Sequence, residues 1–238
     1  MNEKYFLNED LFFYNKSLYK IKDEKETIIN KRNWFNLLKD YGWGKLKLEW
    51  RNKLESKYFT ILECGSDGDC LFHVISEALN MNLIYNYDIP EYDIIDIRNK
   101  ASSQINDDNF DLILESYKAE VECGEFFGDW EPNNIKNKED LKVEIEKLGN
   151  NFWGDHILIQ LISEKIEINF LILDEENMVI SSMGNELKYD KTIIIYYLEN
   201  LHFQLVGYFN GNIMETVFDT DKLPLGLINL YNQNTNKK

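Results

Sequence analysis

Cysteine, proline and histidine are scarce in this chain of 238 residues, with three of each. The cysteines are Cys64, Cys70 and Cys123. Their odd number and wide spacing exclude the disulfide framework of a small secreted domain. No CxxC pair, HxH or HExxH pattern occurs, so neither a zinc site nor any other cofactor is expected. Three histidines leave a short list of side chains able to move a proton near neutral pH. Long apolar runs are missing too; one of the longest, Ile193 to Leu198, is far too short to span a bilayer. The opening MNEKYFLNEDLFFYN is acidic where a secretory leader would be basic, and it lacks a continuous apolar centre. These absences lead to the expectation of a cytoplasmic monomer with no membrane partner. The Asn-, Ile- and Lys-rich composition suits an AT-rich genome, so the cytoplasm would be a host's if the source is a virus or an intracellular parasite.

What is abundant is apolar and acidic. Hydrophobic residues make up 44% and aromatics 14%, a load that a disordered chain does not carry. The net charge is −16, unevenly spread: residues 1–55 hold 12 Lys/Arg against 9 Asp/Glu, and the remainder 14 against 33. So acidic a body repels phosphate backbones, which excludes nucleic acid as the main partner and favours a basic protein. The alternative is that the acidity serves solubility alone.

Along the chain, residues 1–55 read as an N-terminal helical extension. Trp34, Leu37, Leu38 and Tyr41 stand at helical spacing, with Gly42 and Gly44 ending the helix, which packs on the main domain or binds a partner. The main domain, residues 56–220, opens with the strand YFTILEC, the turn GSDGD and an apolar helix from Cys70. Further helices are predicted over 92–105, 109–121 and 138–149, with a loop-like acidic insertion over 120–140. A helix capped by Asp155 leads into the buried strand IEINFLILD, followed by a short strand over 178–183. TIIIYYL is another buried strand, a short LEN turn follows, and HFQLVGYF and NIMETVF form a hairpin about Asn210–Gly211. The tail, 221–238, is expected to fray. The fold class is α/β, with a small central sheet covered by helices.

The chemistry gathers at Cys70. A thiol directly after a glycine turn, at the start of an apolar helix, sits where unpaired N–H groups and the helix dipole favour an anion. Gly68 would let a substrate backbone approach closely. A buried, inert cysteine is the other reading of a lone Cys before a helix. A nucleophile needs a base. His73 lies on the same helix, three residues on, and points along its surface; His156 opens a later helix and reads as structural. His202 opens a strand far away in sequence, where it can face a helix-borne thiol across a cleft.

At this point the sequence resembles a known family. Asp67-Gly68-Asp69-Cys70-Leu71-Phe72 is similar to the ovarian-tumour (OTU) signature Asp-Gly-x-Cys-Leu-Phe. Phe152-Trp153-Gly154-Asp155 resembles that family's Trp-Gly segment, and His202-Phe203-Gln204-Leu205-Val206 its terminal His strand. The three occur in order over about residues 58–210. The resemblance implies an OTU-like, papain-type cysteine protease that hydrolyses the isopeptide bond after the ubiquitin C-terminal glycine, with ubiquitin and polyubiquitin chains as partners. It implies Cys70 as nucleophile, His202 as base, Asp67 as a catalytic residue that shapes the turn, and the backbone N–H groups of Asp69 and Cys70 as oxyanion donors. Many members carry Asp or Asn two positions after the His; here it is Gln204, whose amide oxygen, or else Asp67, would orient the imidazole. Glu120, Glu122, Glu125 and Asp129 are candidates to meet the arginines of the ubiquitin tail. The alternatives are a catalytically inactive ubiquitin-binding module of the same fold and an unrelated cysteine hydrolase.

Overall fold

The computed structural model describes residues 4–84, 92–183, 187–198 and 202–235. The expected LEN turn, 198–200, lies largely outside them. Four short strands come first: β1 (Tyr5–Phe6), β2 (Leu11–Tyr14), β3 (Ser17–Lys22) and β4 (Lys25–Ile28), paired in chain order as an antiparallel sheet. The expected helical extension is therefore corrected for most of its length. Along β3 the buried Leu18 and Lys20 alternate with the more open Ser17, Tyr19 and Ile21 at the period of a strand, and Asn15–Lys16 and Asp23–Glu24 take left-handed turn conformations between the strands. The one helix predicted there forms as α1 (Trp34–Leu38), prolonged by a 3-10 turn to Tyr41 and stopped by Gly42 at φ +86°.

Next come β5 (Trp43–Lys45), α2 (Leu48–Lys53), β6 (Phe59–Leu62), the long helix α3 (Cys70–Ile84), then α4 (Ile94–Ser102), α5 (Phe110–Cys123) and α6 (Lys138–Glu146). The C-terminal half adds α7 (His156–Ile166), β7 (Ile168–Asp174), β8 (Val179–Ser182), β9 (Lys191–Leu198), β10 (His202–Phe209), β11 (Met214–Glu215), β12 (Val217–Asp219) and α8 (Leu225–Thr235). An eight-stranded mixed sheet runs β5-β6-β10-β9-β7-β8, with β11 on β10 and β12 on β9; only β7 and β9 pair in parallel. The architecture is α/β as read from the sequence, though the sheet is larger than expected.

Both faces of this sheet are covered, which is why its central strands are near-continuous apolar runs. Along β9, Ile193 and Ile195 join the core shared with α3, α4 and α7, while Ile194 and Tyr196 face a second core with Trp50, Leu54, Leu227 and Tyr231. The tail supplies part of that second core. As far as Thr235 it is not frayed: α8 buries Leu227 and Tyr231, and Gly226 lies so close to the Leu54 carbonyl that a Cβ there would stand 2.0 Å from its oxygen. The N-terminal unit is tied in as well. Trp34 stacks on Phe209 at 5.7 Å, and Leu18 N–H donates to the Asn212 carbonyl. Among the described residues, no helix is long and apolar enough to cross a membrane.

Candidate active site

Cys70 is placed by a turn that the chain locks from three sides. β6 ends at Leu62, and Asp67–Asp69 form a single 3-10 turn closed by the Cys70 N–H donating to the Asp67 carbonyl. Asp67 itself is left-handed at φ +61° and exposed, a conformation Asp tolerates better than most residues. Its side chain makes no hydrogen bond or ion pair among the described residues. Gly68 meets the chain's own backbone: a Cβ there would fall 2.2 Å from the Gly149 carbonyl oxygen. That corrects the expectation that this glycine leaves room for a substrate. Its N–H is taken as well, by Asn150 Oδ1 at 3.0 Å.

Asp69 is held by Arg98, a residue of α4. Arg98 Nε and Nη2 donate to Asp69 Oδ1 at 2.9 and 2.5 Å, while Nη1 reaches the Ile145 carbonyl at 2.6 Å and Nη2 the Phe152 carbonyl at 2.9 Å. The other carboxylate oxygen accepts from Gly149 N–H at 2.6 Å. The guanidinium lies 3.9 Å above the Phe72 ring and is fully buried, and its pKa is lowered by that burial against the opposing pull of Asp69. A buried charge so fully hydrogen-bonded is costly to break on one side. Its effect is to fix the turn that carries Cys70.

The three motif segments meet here. Gly154 packs against Leu71, where a Cβ would stand 2.4 Å from the leucine Cβ, so the Trp-Gly segment lies on the residue after Cys70. α3, headed by the Cys70 thiol, packs on β10, which opens with His202 and Phe203. Burial pushes that thiol up from its ordinary pKa; the backbone of Phe203 and Leu71 pulls it back, and the charge of Glu63 adds to the rise. Burial thus outweighs the backbone groups that favour the anion at the head of the helix. Cys64, also largely buried, is pushed up to about 12 by burial, and Cys123 is exposed.

His202 is half-buried, and its Nε2 lies 2.8 Å from Glu63 Oε2. The same oxygen accepts from Gln204 Nε2 at 2.8 Å. Among the described residues neither expected acceptor is hydrogen-bonded to the ring: Gln204 donates from its NH2 group to Glu63, and the Asp67 side chain makes no hydrogen bond. Glu63 was missed because nothing in the sequence pairs YFTILEC with HFQLVGYF. In the structure β6 and β10 run antiparallel with Leu62 opposite Leu205, so one further step sets Glu63 opposite Gln204 and diagonal to His202. Arg98 had a local signal, an arginine inside the apolar stripe Ile94, Ile97, Ala101. Asn150 had none.

The remaining expectations fall elsewhere. His73 packs its ring on Gly65, where a Cβ would be 2.4 Å from Cδ2, and His156 is exposed at the start of α7. Asp155 caps that helix as expected, accepting from Leu158 N–H at 2.8 Å. Glu120 and Glu125 line a cavity of about 340 Å³ together with Phe127, Trp153, Asp155 and His156. Burial raises the Glu120 carboxyl above its ordinary range. Asp129 lines a different hollow, of about 490 Å³, beside α6.

By sequence the chain is similar to two proteins named as ubiquitin thioesterases. It is 26% identical over 161 residues to the ubiquitin thioesterase otu2 of Schizosaccharomyces pombe, covering 66% of this chain and 46% of that protein. It is 25% identical over 171 residues to a protein of Tipula iridescent virus named as a candidate ubiquitin thioesterase, covering 70% of this chain and 18% of that one. The chain thus spans under half the length of these curated relatives. No family model matches. Among solved structures, an OTU domain in complex with ubiquitin is similar at 20% identity and TM-score 0.49, over 74% of this chain and 84% of that one. An OTU deubiquitinase from Wolbachia pipientis is similar at 15% identity and TM-score 0.42, over 72% and 95%. The names of the two sequence relatives agree with the ovarian-tumour resemblance carried by the motifs.

Proposed function

We propose that this chain, ovarian-tumour-like in its motifs and its sequence relatives, is a cysteine deubiquitinase that cleaves the bond after the C-terminal glycine of ubiquitin. The observation that carries the reading is the meeting of distant segments: α3, headed by Cys70, packs on β10, which opens with His202.

In this reading the thiol is protonated at rest, and His202 takes its proton as the sulfur attacks the glycine carbonyl. The tetrahedral intermediate collapses to a thioester as the imidazolium returns the proton to the departing lysine amine. Water, deprotonated by His202, then attacks the thioester; the free carboxylate leaves and the thiol is restored. Asp69 and Cys70 N–H groups are the candidate oxyanion donors. For Cys70 this requires its bond to the Asp67 carbonyl to be exchanged for one to the oxyanion, a small rearrangement of a single 3-10 turn. Cys70 is only 2% exposed, so the turn or its cover has to shift for a carbonyl to reach the sulfur.

A ubiquitin probe bearing a thiol-reactive group at its C-terminus tests this directly. Covalent labelling at Cys70, read by peptide mass spectrometry, is the expected result. Tight binding without labelling would favour the inactive binding module, and no interaction an unrelated cysteine hydrolase.

A further inference from the structure

We propose that Glu63 is the positioning residue of the His202 base, and that Gln204 acts on the imidazole only through Glu63. The inference rests on the thiol-hydrolase reading above and extends it to the group that reading leaves open.

Chemistry decides the direction of both hydrogen bonds. A carboxylate accepts and never donates when ionised, so both nitrogens facing Glu63 Oε2 must carry hydrogen. For neutral His202 this selects the Nε2–H tautomer and leaves the Nδ1 lone pair as the basic site. For Gln204 it selects the amide orientation with NH2 towards Glu63, since the reverse would oppose two acceptors. The consequence is visible on the other side of the amide: Gln204 Oε1 is buried and has no hydrogen-bond partner among the described residues. An amide free to serve the ring would not leave that oxygen unpaired. Its NH2 group is committed to the carboxylate instead.

The division of labour has a physical reason. The Glu63 side chain is 52% exposed, and a long carboxylate at a strand end loses rotamer freedom when held in one geometry. A second donor on the neighbouring strand narrows its choice. His202 and Gln204 lie two apart on β10 and so share a face, with Glu63 arriving across the β6–β10 pairing. Among the described residues, the titratable group hydrogen-bonded to His202 is Glu63, from the end of β6, while α3, which opens with Cys70, packs on β10. β9 offers Leu198 opposite. A carboxylate in this place stabilises imidazolium as the proton arrives, which a neutral amide does less well.

The test is a series in the full chain: Glu63→Gln, Glu63→Ala, Gln204→Ala and the double variant Glu63→Ala/Gln204→Ala. Hydrolysis of a ubiquitin C-terminal coumarin amide is followed across pH, and 15N NMR reports the His202 tautomer and titration. Glu63→Gln keeps an acceptor and loses the charge, so kcat should fall about 10-fold, with KM little changed. Its acid limb should move to lower pH, because imidazolium loses its counter-charge. Glu63→Ala should fall about 100-fold and lose the preference for the Nε2–H tautomer. Gln204→Ala should be milder alone and silent in the Glu63→Ala background. An unchanged acid limb and tautomer in Glu63→Ala would overturn the proposal. So would a Gln204→Ala loss equally large with and without Glu63. If the parent chain does not turn over the ubiquitin substrate, the activity reading fails, while the NMR tautomer and titration still decide the role of Glu63.

Discussion

The two halves of the candidate site are built in opposite ways. The Cys70 half is interior: a fully buried Arg98 holds Asp69, Gly149 and Asn150 close over the turn, and the thiol is nearly inaccessible. The His202 half is the open end of two central strands, where the ring meets a half-exposed carboxylate and a glutamine. Buried hydrogen bonds to charge are screened little by water and salt, while exposed ones are weakened by both. The candidate nucleophile is therefore set by packing, and the proposed base by an electrostatic contact that solvent can tune.

The largest effects should come from removing the reacting groups, which breaks both halves at once. Cys70→Ala and His202→Ala are each expected to lower kcat on a ubiquitin substrate by about 10⁴-fold or more, with the double variant no worse than either. Circular dichroism and ubiquitin binding should stay intact. His73→Ala and His156→Ala should be mild; a crippling His73→Ala would move the base away from β10.

Next is the lock on the interior half. Arg98→Ala leaves Asp69 and the carbonyls of Ile145 and Phe152 without their donor and should destabilise the chain by about 3–5 kcal/mol, read from urea midpoints. Arg98→Met with Asp69→Asn should recover part of that loss, because the stranded charge is gone. Near-parental stability in Arg98→Ala would mean that the turn is held by something else, and the contrast between the halves would disappear.

A third measurement separates the halves by pH. Since burial raises the Cys70 thiol, its alkylation by a small haloacetamide, in a Cys64→Ala/Cys123→Ala background, should keep rising with pH beyond 9. The sign follows from the thiol being held in its protonated form: thiolate appears only as the solution pH passes the raised value. A plateau already reached near neutral pH would instead indicate a preformed thiolate–imidazolium pair. In the parental chain Cys123 should react first and Cys64 last, as exposure and a pKa of about 12 dictate.

The smallest expected effect is that of salt. If Glu120 and Glu125, beside the Phe127 and Trp153 rings, receive a cationic tail, kcat/KM should fall as ionic strength rises, while kcat holds. Glu120→Gln/Glu125→Gln should flatten that slope. A flat profile in the parental chain would leave the acidity of the body as a matter of solubility.

Much of this was legible in the linear chain because it is local. The turn before Cys70, the apolar face of α3, the Asp155 cap and the buried strands β7, β9 and β10 are each written within about ten residues, in glycine, capping and periodicity signals. The fold class followed from their order. The N-terminal strands were misread because one helical stretch, Trp34 to Tyr41, stood for a segment that is mostly strand. The tail was misread because the partners of α8, around Trp50 and Leu54, lie far back in the chain. Cys70 and His202 could be chosen as candidates from residue type and neighbourhood alone. Tertiary structure decided what surrounds them. Strand register carries no signature in either strand by itself, so only the β6–β10 pairing could bring Glu63 to both His202 and Gln204. Only the packing of α4 against the Cys70 turn could give Arg98 its partners, because a buried charge is defined by the atoms that close around it.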